Sequence, residues 1–269
     1  FSDSGGNIGV AMKEFGGGLK GLLTPGVLLV AALGGLVALF MKISKEASQL
    51  AADTGVTFSQ AKLLAKESRA ITTSLDASLS SSQDILAVQK ETIKQFGMAS
   101  MLTAEQAMNV SEIGKSFGFG AEQAAKVNNA FMQMGASAGQ AADAQRDLAA
   151  EALKSGLNVG AVVADIADNA KDVAKFFGGN VKPLKIAAKQ AAKLGVSIKT
   201  MANVSDSLLN IEESLSSQFE LQALTGKEIN LDLARSLALQ GDIAGATKQV
   251  LDQVGGIAEF DNMNLVQRE

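Results

Sequence analysis

The stretch SIKTMANVSDSLLNIEESLSSQFELQALTG, Ser197 to Gly226, decides the fold class. Ser197 is a good helix N-cap, Gly226 a good stop, and Met201, Val204, Leu208, Ile211 and Leu215 recur between them at spacings of 3, 4, 3 and 4. Such spacing gathers apolar side chains on one helical face, whereas a strand would need alternation with period two. It predicts one long helix over 197–226 with a heptad seam just over two heptads long.

The same grammar of cap, amphipathic stretch and glycine recurs outward from there. Thr57 with Gln60 has the T-x-x-Q capping-box pattern, and the helix it opens is predicted to reach Gly97. Along it Ala61, Leu64, Ser68, Ile71, Leu75, Leu79, Ser82, Leu86, Gln89, Ile93 and Phe96 form a second seam, with a stutter at Leu75 and Leu79 and with Ser68, Ser82 and Gln89 weakening it. Thr103 with Gln106 repeats the capping pattern. Helix ends are expected at Gly135, Gly156, Gly178, Gly195, Gly241 and Gly255, with Asn180 ahead of Pro183 and with Asn230 and Asp242 as further starts. No long stretch alternates with period two, so the expectation is an all-α chain of about nine or ten helices punctuated by Gly stops and partly coiled-coil. The seam residues Leu64, Ile71, Leu75, Leu79, Leu86 and Ile93, with Met201, Val204, Leu208, Ile211 and Leu215, are read as a coiled coil between identical chains; packing within one chain is the alternative.

Composition narrows the chemistry. The chain has 269 residues, 47% hydrophobic but only 4% aromatic, with 27 Gly, 2 Pro and no Cys, His, Trp or Tyr. Without Cys there is no disulfide, thiolate nucleophile or iron-sulfur ligand set, and without His no imidazole base or Ser-His-Asp triad. The net charge of -4, without a basic stripe, argues against tight or sequence-specific nucleic-acid binding.

Five segments are expected: a flexible Gly-rich 1–21, a hydrophobic helix at 22–42, a long helical or coiled-coil segment at 43–97, a bundle of short helices at 98–195, and a helical segment with the heptad seam at 196–269. The opening Phe1 and the cut-off helix at Asn262–Glu269 read as a piece of a longer protein. Within 22–42, Thr24 and Pro25 suit a helix start, and Val27, Leu28, Leu29, Val30, Leu33, Leu36, Val37, Leu39, Phe40 and Met41 are candidate membrane-inserting residues. A helix from Pro25 to Met41 would be roughly 26 Å long, slightly short of a hydrocarbon core of roughly 30 Å. Burial in a protein assembly is the other reading.

Other motifs fail. Gly114-Lys115-Ser116 looks like the end of a phosphate loop, but Asn109 stands where the earlier glycine belongs and no strand precedes it. Gly226-Lys227-Glu228 fails likewise. Asp165, Asp168 and Asp172 share a helix face beside Lys171 and Lys175, which reads as a solvated charged face and not a cation site. Met98, Met101, Met108, Met132 and Met134 read as core filling. No catalytic, cofactor or metal residue set is expected, and the chain is not expected to be an enzyme.

A helical chain rich in Ala, Gly and Ser, with a glycine-containing hydrophobic segment and the ending LTGKEINLDLARSLALQGDIAGATKQVLDQVGG (Leu224–Gly256), resembles the tail tape measure proteins of tailed bacteriophages, in particular those of contractile tails. The resemblance implies a structural virion protein in the lumen of the tail tube, setting tail length during assembly and assisting genome passage through the host inner membrane. It implies copies of itself as partners, in a homo-trimer or homo-hexamer, together with the tail tube protein and the baseplate hub or tail-tip proteins. The many glycines make this part more compact than a straight ruler. A membrane-active toxin or pore-former, and a membrane-anchored coiled-coil signalling protein, are the alternatives. The seam reading predicts that Asp at Leu208 and Ile211 disrupts assembly more than Ala at Asp165 and Asp168, as measured by the mass of the assembled species; equal effects would contradict it.

Overall fold

A computed structural model describes residues 25–74, 79–177 and 179–256, which contain twelve α-helices, one 3-10 turn and no strand. The chain divides into two compact units, Phe1–Thr73 and Ser74–Glu269, so the boundary falls inside the expected segment 43–97. The Gly-rich 1–21, Leu75, Gly178 and Asn262–Glu269 lie outside the described residues.

The first unit carries α1, Pro25–Thr54, and α2, Phe58–Ser74. The expected hydrophobic helix at 22–42 needs correction: α1 continues through Lys42, Lys45 and Glu46 to Thr54, because no Gly or Pro interrupts it between Met41 and Gly55. Among the described residues no helix is long and apolar enough to cross a membrane. Ala47 and Leu50 of α1 are buried, as are Ala61, Leu64, Ala65 and Ser68 of α2. Arg69 and Glu46 form a two-pronged ion pair between the helices, with Nη2 2.7 Å from Oε1 and Nε 3.1 Å from Oε2. The Lys62 ammonium sits 4.6 Å from the centre of the Phe40 ring.

The second unit begins where the predicted helix 57–97 breaks. Helix α2 stops at Ser74 and α3, Ser82–Phe96, starts afresh. Ser81 Oγ accepts the Asp84 N–H while Asp84 Oδ2 accepts the Ser81 N–H at 2.7 Å, a capping box of the S-x-x-D kind. Ser80, buried, donates to Ser111 Oγ at 2.7 Å. Hydroxyls so close to the backbone favour a new start over continuation, and this cuts the first seam. Leu64 belongs to one unit, Leu86 and Ile93 are buried in the other, Ile71 is half-buried and Leu79 is exposed.

Then follow a 3-10 turn, Met98–Ser100, and α4, Ala104–Ser116; α5, Ala121–Gln133; α6, Ala138–Lys154; α7, Val159–Phe177; α8, Val181–Leu194; α9, Ile198–Leu209; α10, Ile211–Thr225; α11, Asp232–Leu239; and α12, Ile243–Val254. Three connectors here share one construction. Gly135-Ala136-Ser137, Gly156-Leu157-Asn158 and Gly195-Val196-Ser197 each put glycine at φ of 91°, 69° or 70°, then an apolar residue, then a cap. The apolar residue's N–H returns to the closing helix, from Ala136 to Phe131 O at 3.2 Å, Leu157 to Ala152 O at 3.0 Å and Val196 to Ala191 O at 3.0 Å. Ser137, Asn158 and Ser197 then accept the N–H of Gln140, Ala161 and Thr200. One triplet thus satisfies orphan carbonyls of one helix and orphan amides of the next. Gly55-Val56-Thr57 in the first unit has the same residue pattern, with Gly55 at φ 74° and Thr57 Oγ1 accepting the Gln60 N–H.

Helix α5 packs against α3, α4, α6 and α7, and α9 against α7, α8, α10, α11 and α12. Between these two hubs lie Phe131, Leu148, Val163, Ile166, Leu184, Ile198 and Met201, all inaccessible to solvent. Buried Ala124, Ala141, Ala149, Ala188 and Ala191 let helix backbones approach closely, which explains how a chain so poor in aromatics fills a core. Buried polar side chains fix the registers: Gln89 Nε2 donates to Leu102 O at 3.2 Å, Gln145 Nε2 to Ala124 O at 3.1 Å, and Thr92 Oγ1 to Asn129 Oδ1 at 3.0 Å.

Asp84 also pairs with Lys115 of α4. Partial burial pushes its carboxyl up, but the hydrogen bonds from Lys115 and Ser81 outweigh this and hold it below its ordinary value of 3.8. Ser81→Ala and Asp84→Ala should each cost about 1 kcal/mol at neutral pH in urea titrations. The carboxylate's contribution is complete above pH 3.8 and disappears as pH falls through the lower folded value, so the gap between wild type and Asp84→Ala should close in acid. A gap that stays constant or widens would show that the carboxylate is not what holds the α3 start.

Candidate functional site

The expected single helix over 197–226 is two helices, α9 and α10, broken at Asn210, whose backbone leaves the helical region at φ -80°, ψ 88°. Asn210 Nδ2 donates to Glu213 Oε2 at 2.7 Å, and Asn210 O still accepts the Ser214 N–H at 2.8 Å. Asn-x-x-Glu reads as a helix start inside the periodic run, although the Asn210 side chain bonds Glu213 and caps no amide of α10.

The break divides the second seam. Met201 and Leu208 are buried in this chain's own core, Val204 is half-buried against it, and Ile211 and Leu215 are exposed. Asp at Leu208 would therefore break the monomer's packing before it tested any seam between chains.

Helix α10 is held mainly by polar side chains, beside half-buried Leu221, which packs on the Leu208–Ile229–Leu231 cluster. Arg235 of α11, only 6% exposed, donates from Nε to Ser214 Oγ at 2.9 Å and from Nη2 to Ser214 O at 3.2 Å and Gln218 Oε1 at 2.8 Å. Its Nη1 donates to Asp232 Oδ1 at 2.9 Å. Gln218 and Gln222 both donate to Ile229 O, at 2.8 Å and 2.6 Å. Ser214 and Gln218 thus face inward, while Ile211 (48% exposed), Leu215 (38%) and Phe219 (63%), each four residues from the last, face solvent. A surface helix ordinarily does the reverse, apolar stripe inward and polar face out. This inversion is the feature of the second unit with the plainest capacity to bind: an exposed apolar row on a helix whose charges, Glu212, Glu213 and Glu220, are all negative.

The other sequence-predicted residues fall as follows. Val37, Leu39, Phe40 and Met41 are exposed on α1, while the side chains of Val27, Leu28, Leu29, Val30, Leu33 and Leu36 lie outside the described residues. Gly114 is a packing position: a Cβ there would sit 2.3 Å from Gly120 O. Gly226 caps α10 at φ 67°, and Lys227 Nζ reaches Val254 O at 3.4 Å. Met108, Met134 and Met201 are buried. Asp165 holds the start of α9, its Oδ2 accepting the Ile198 N–H at 2.8 Å and its Oδ1 accepting from Asn169 at 2.8 Å. Burial raises its carboxyl above the ordinary value of 3.8 against the pull of those hydrogen bonds, with Asp168 adding repulsion. Asp172 pairs with Lys199 at 3.0 Å, and no group of acidic residues suited to a metal ion occurs among the described residues.

Comparison with protein-family models, with curated proteins and with solved structures finds nothing that matches this chain.

The anchoring of α10 predicts the effect of losing Arg235. Arg235→Ala leaves Ser214, Gln218 and Asp232 short of a partner and should cost about 2–4 kcal/mol. Hydrogen exchange should show α10 amides losing protection while those of α5 keep theirs. Unchanged protection over 211–225 would rule out the guanidinium as the anchor.

Proposed function

We propose that this chain is part of a structural virion protein of the tail tape measure kind, which lies in the lumen of a bacteriophage tail tube and works by packing against copies of itself and against tube and baseplate hub proteins. One observation carries the proposal: exposed apolar side chains gather on helices, Ile211, Leu215 and Phe219 in a row on α10 and Val37, Leu39, Phe40 and Met41 together on one stretch of α1. Such rows are surfaces for other chains, and an assembly protein needs several at once. Supporting it are the all-helical build among the described residues and a core in which small side chains let helices pack closely.

The proposal covers assembly within the tube. Among the described residues no helix is long and apolar enough to cross a membrane. Short helices joined by tight connectors also suit a folded docking region better than the measuring rod, which needs an uninterrupted advance of about 1.5 Å per residue.

Quantitative mass spectrometry of tails purified from particles that carry this sequence checks the proposal. The polypeptide should be present at a few copies per tail, far below the tube protein, and should stay with the tail when sheath and capsid are stripped. Its absence from the particle, or release with the capsid, would sink the reading.

A further inference from the structure

The break between α9 and α10 is one residue wide. Asn210 alone leaves the helical region, while its N–H still donates to Asp206 O at 3.2 Å and its O accepts the Ser214 N–H at 2.8 Å, both of them bonds of an unbroken helix. What the bend gives up lies between these two: the bonds that would join the N–H groups of Ile211, Glu212 and Glu213 to the carbonyls of Ser207, Leu208 and Leu209. The Asn210 side chain caps none of the amides so released. The apolar spacing meanwhile runs straight across, since Val204, Leu208, Ile211 and Leu215 keep the steps of one stripe. Local sequence and backbone bonding thus favour one continuous helix, and the bend is imposed from outside by Arg235, by the Gln218 and Gln222 bonds to Ile229 O, and by the seat of Leu221.

We propose that Asn210 is the hinge and Arg235 the latch of a stowed arm: with the latch released, α9 and α10 run on as one helix over 198–225, and α10 swings off α11 with Ile211 and Leu215 in line with Leu208. Opening restores the three omitted backbone bonds and passes the partners of Arg235, Gln218 and Gln222 to water; closing recovers the buried guanidinium bonds and the contact of Leu221 with the Leu208–Ile229–Leu231 cluster. A helix seated mainly by polar groups is suited to such an exchange, because water replaces hydrogen-bond partners but cannot replace an apolar interface. Asp232 lies one turn before Arg235 on the same helix and stays beside the guanidinium in both states, so opening strands no unpaired charge. The inference concerns the chain by itself and goes beyond the proposed function, which neither requires it nor falls with it.

The chain contains no Cys, so cysteines introduced at exposed Asn203 and Ala223 carry the only spin labels, and double electron-electron resonance reads the span of the two helices in the 269-residue protein. One straight helix sets those two Cα atoms roughly 30 Å apart at about 1.5 Å per residue, and the bent form sets them closer. Wild type should show chiefly the shorter distance. Arg235→Gln, which removes the latch, and Asn210→Ala, which leaves the latch and puts the strongest helix former at the hinge, should each make a narrow population near roughly 30 Å at least about tenfold larger than in wild type. Ile211→Pro should act the other way, because proline suits the first position of α10 and keeps the residue before it out of the helical region, where Asn210 already stands. Combined with Arg235→Gln, it should abolish the long distance. A broad spread of distances in Arg235→Gln, as from a melted α10, a short distance unchanged in both opening variants, or a long-distance population that survives Ile211→Pro would overturn the proposal.

Discussion

The structure of the second unit depends on how helices are stopped and restarted within three residues. An isolated helix leaves amides unsatisfied at one end and carbonyls at the other, and burying either end bare costs more than most single packing contacts contribute. In Gly-apolar-cap connectors such as Gly195-Val196-Ser197, the left-handed glycine lets the next N–H turn back to the closing helix, and the hydroxyl or amide of the third residue takes an amide of the opening one. Helices end wherever such a triplet stands, and neighbours in sequence become neighbours in space. Buried Ala191, Ala188 and Ala152 near these ends allow the close approach that the short connectors impose.

Against that background α10 is the exception. It contacts α9 closely and sets half-buried Leu221 against the Leu208–Ile229–Leu231 cluster, but most of its attachment to the rest runs through a polar network of Arg235, Ser214, Gln218 and Ile229 O. Directional hydrogen bonds can seat a helix with its apolar row outward, which hydrophobic packing alone would never select. The cost of burying a guanidinium is offset by the four acceptors that surround it. The row so maintained stays exposed to solvent.

Electrostatics elsewhere serve the fold. Asp84 and Asp165, displaced in opposite directions, both act at helix starts: Asp84 closes the capping box of α3 and reaches Lys115, and Asp165 accepts the first amide of α9 from a neighbouring helix. Lys175–Asp206 and Lys199–Asp172 tie α7 to α9 at the surface. The acidic row of α7 that resembles a cation site on paper is thus shared between a cap and an ion pair.

Local chemistry was legible in the sequence. Thr57, Thr103 and Ser197 act as caps, Gly195, Gly226 and Gly255 take left-handed conformations just past helix ends, and helical periodicity with no alternation meant helices, because each of these depends on residues within four positions of one another. Two helices predicted as long were each broken, at Ser81 and at Asn210; S-x-x-D and N-x-x-E stood at both places, but a continuous apolar spacing masked them. What tertiary structure alone decided is which face of each helix turns inward. Leu86, Ile93, Met201 and Leu208 went into the core while Ile211, Leu215 and Leu79, with the same spacing, did not. Periodicity defines a stripe, but burial depends on partners distant in the chain: Arg235 lies 21 residues from Ser214 and captures the opposite side of α10, and no pattern local to α10 encodes that choice.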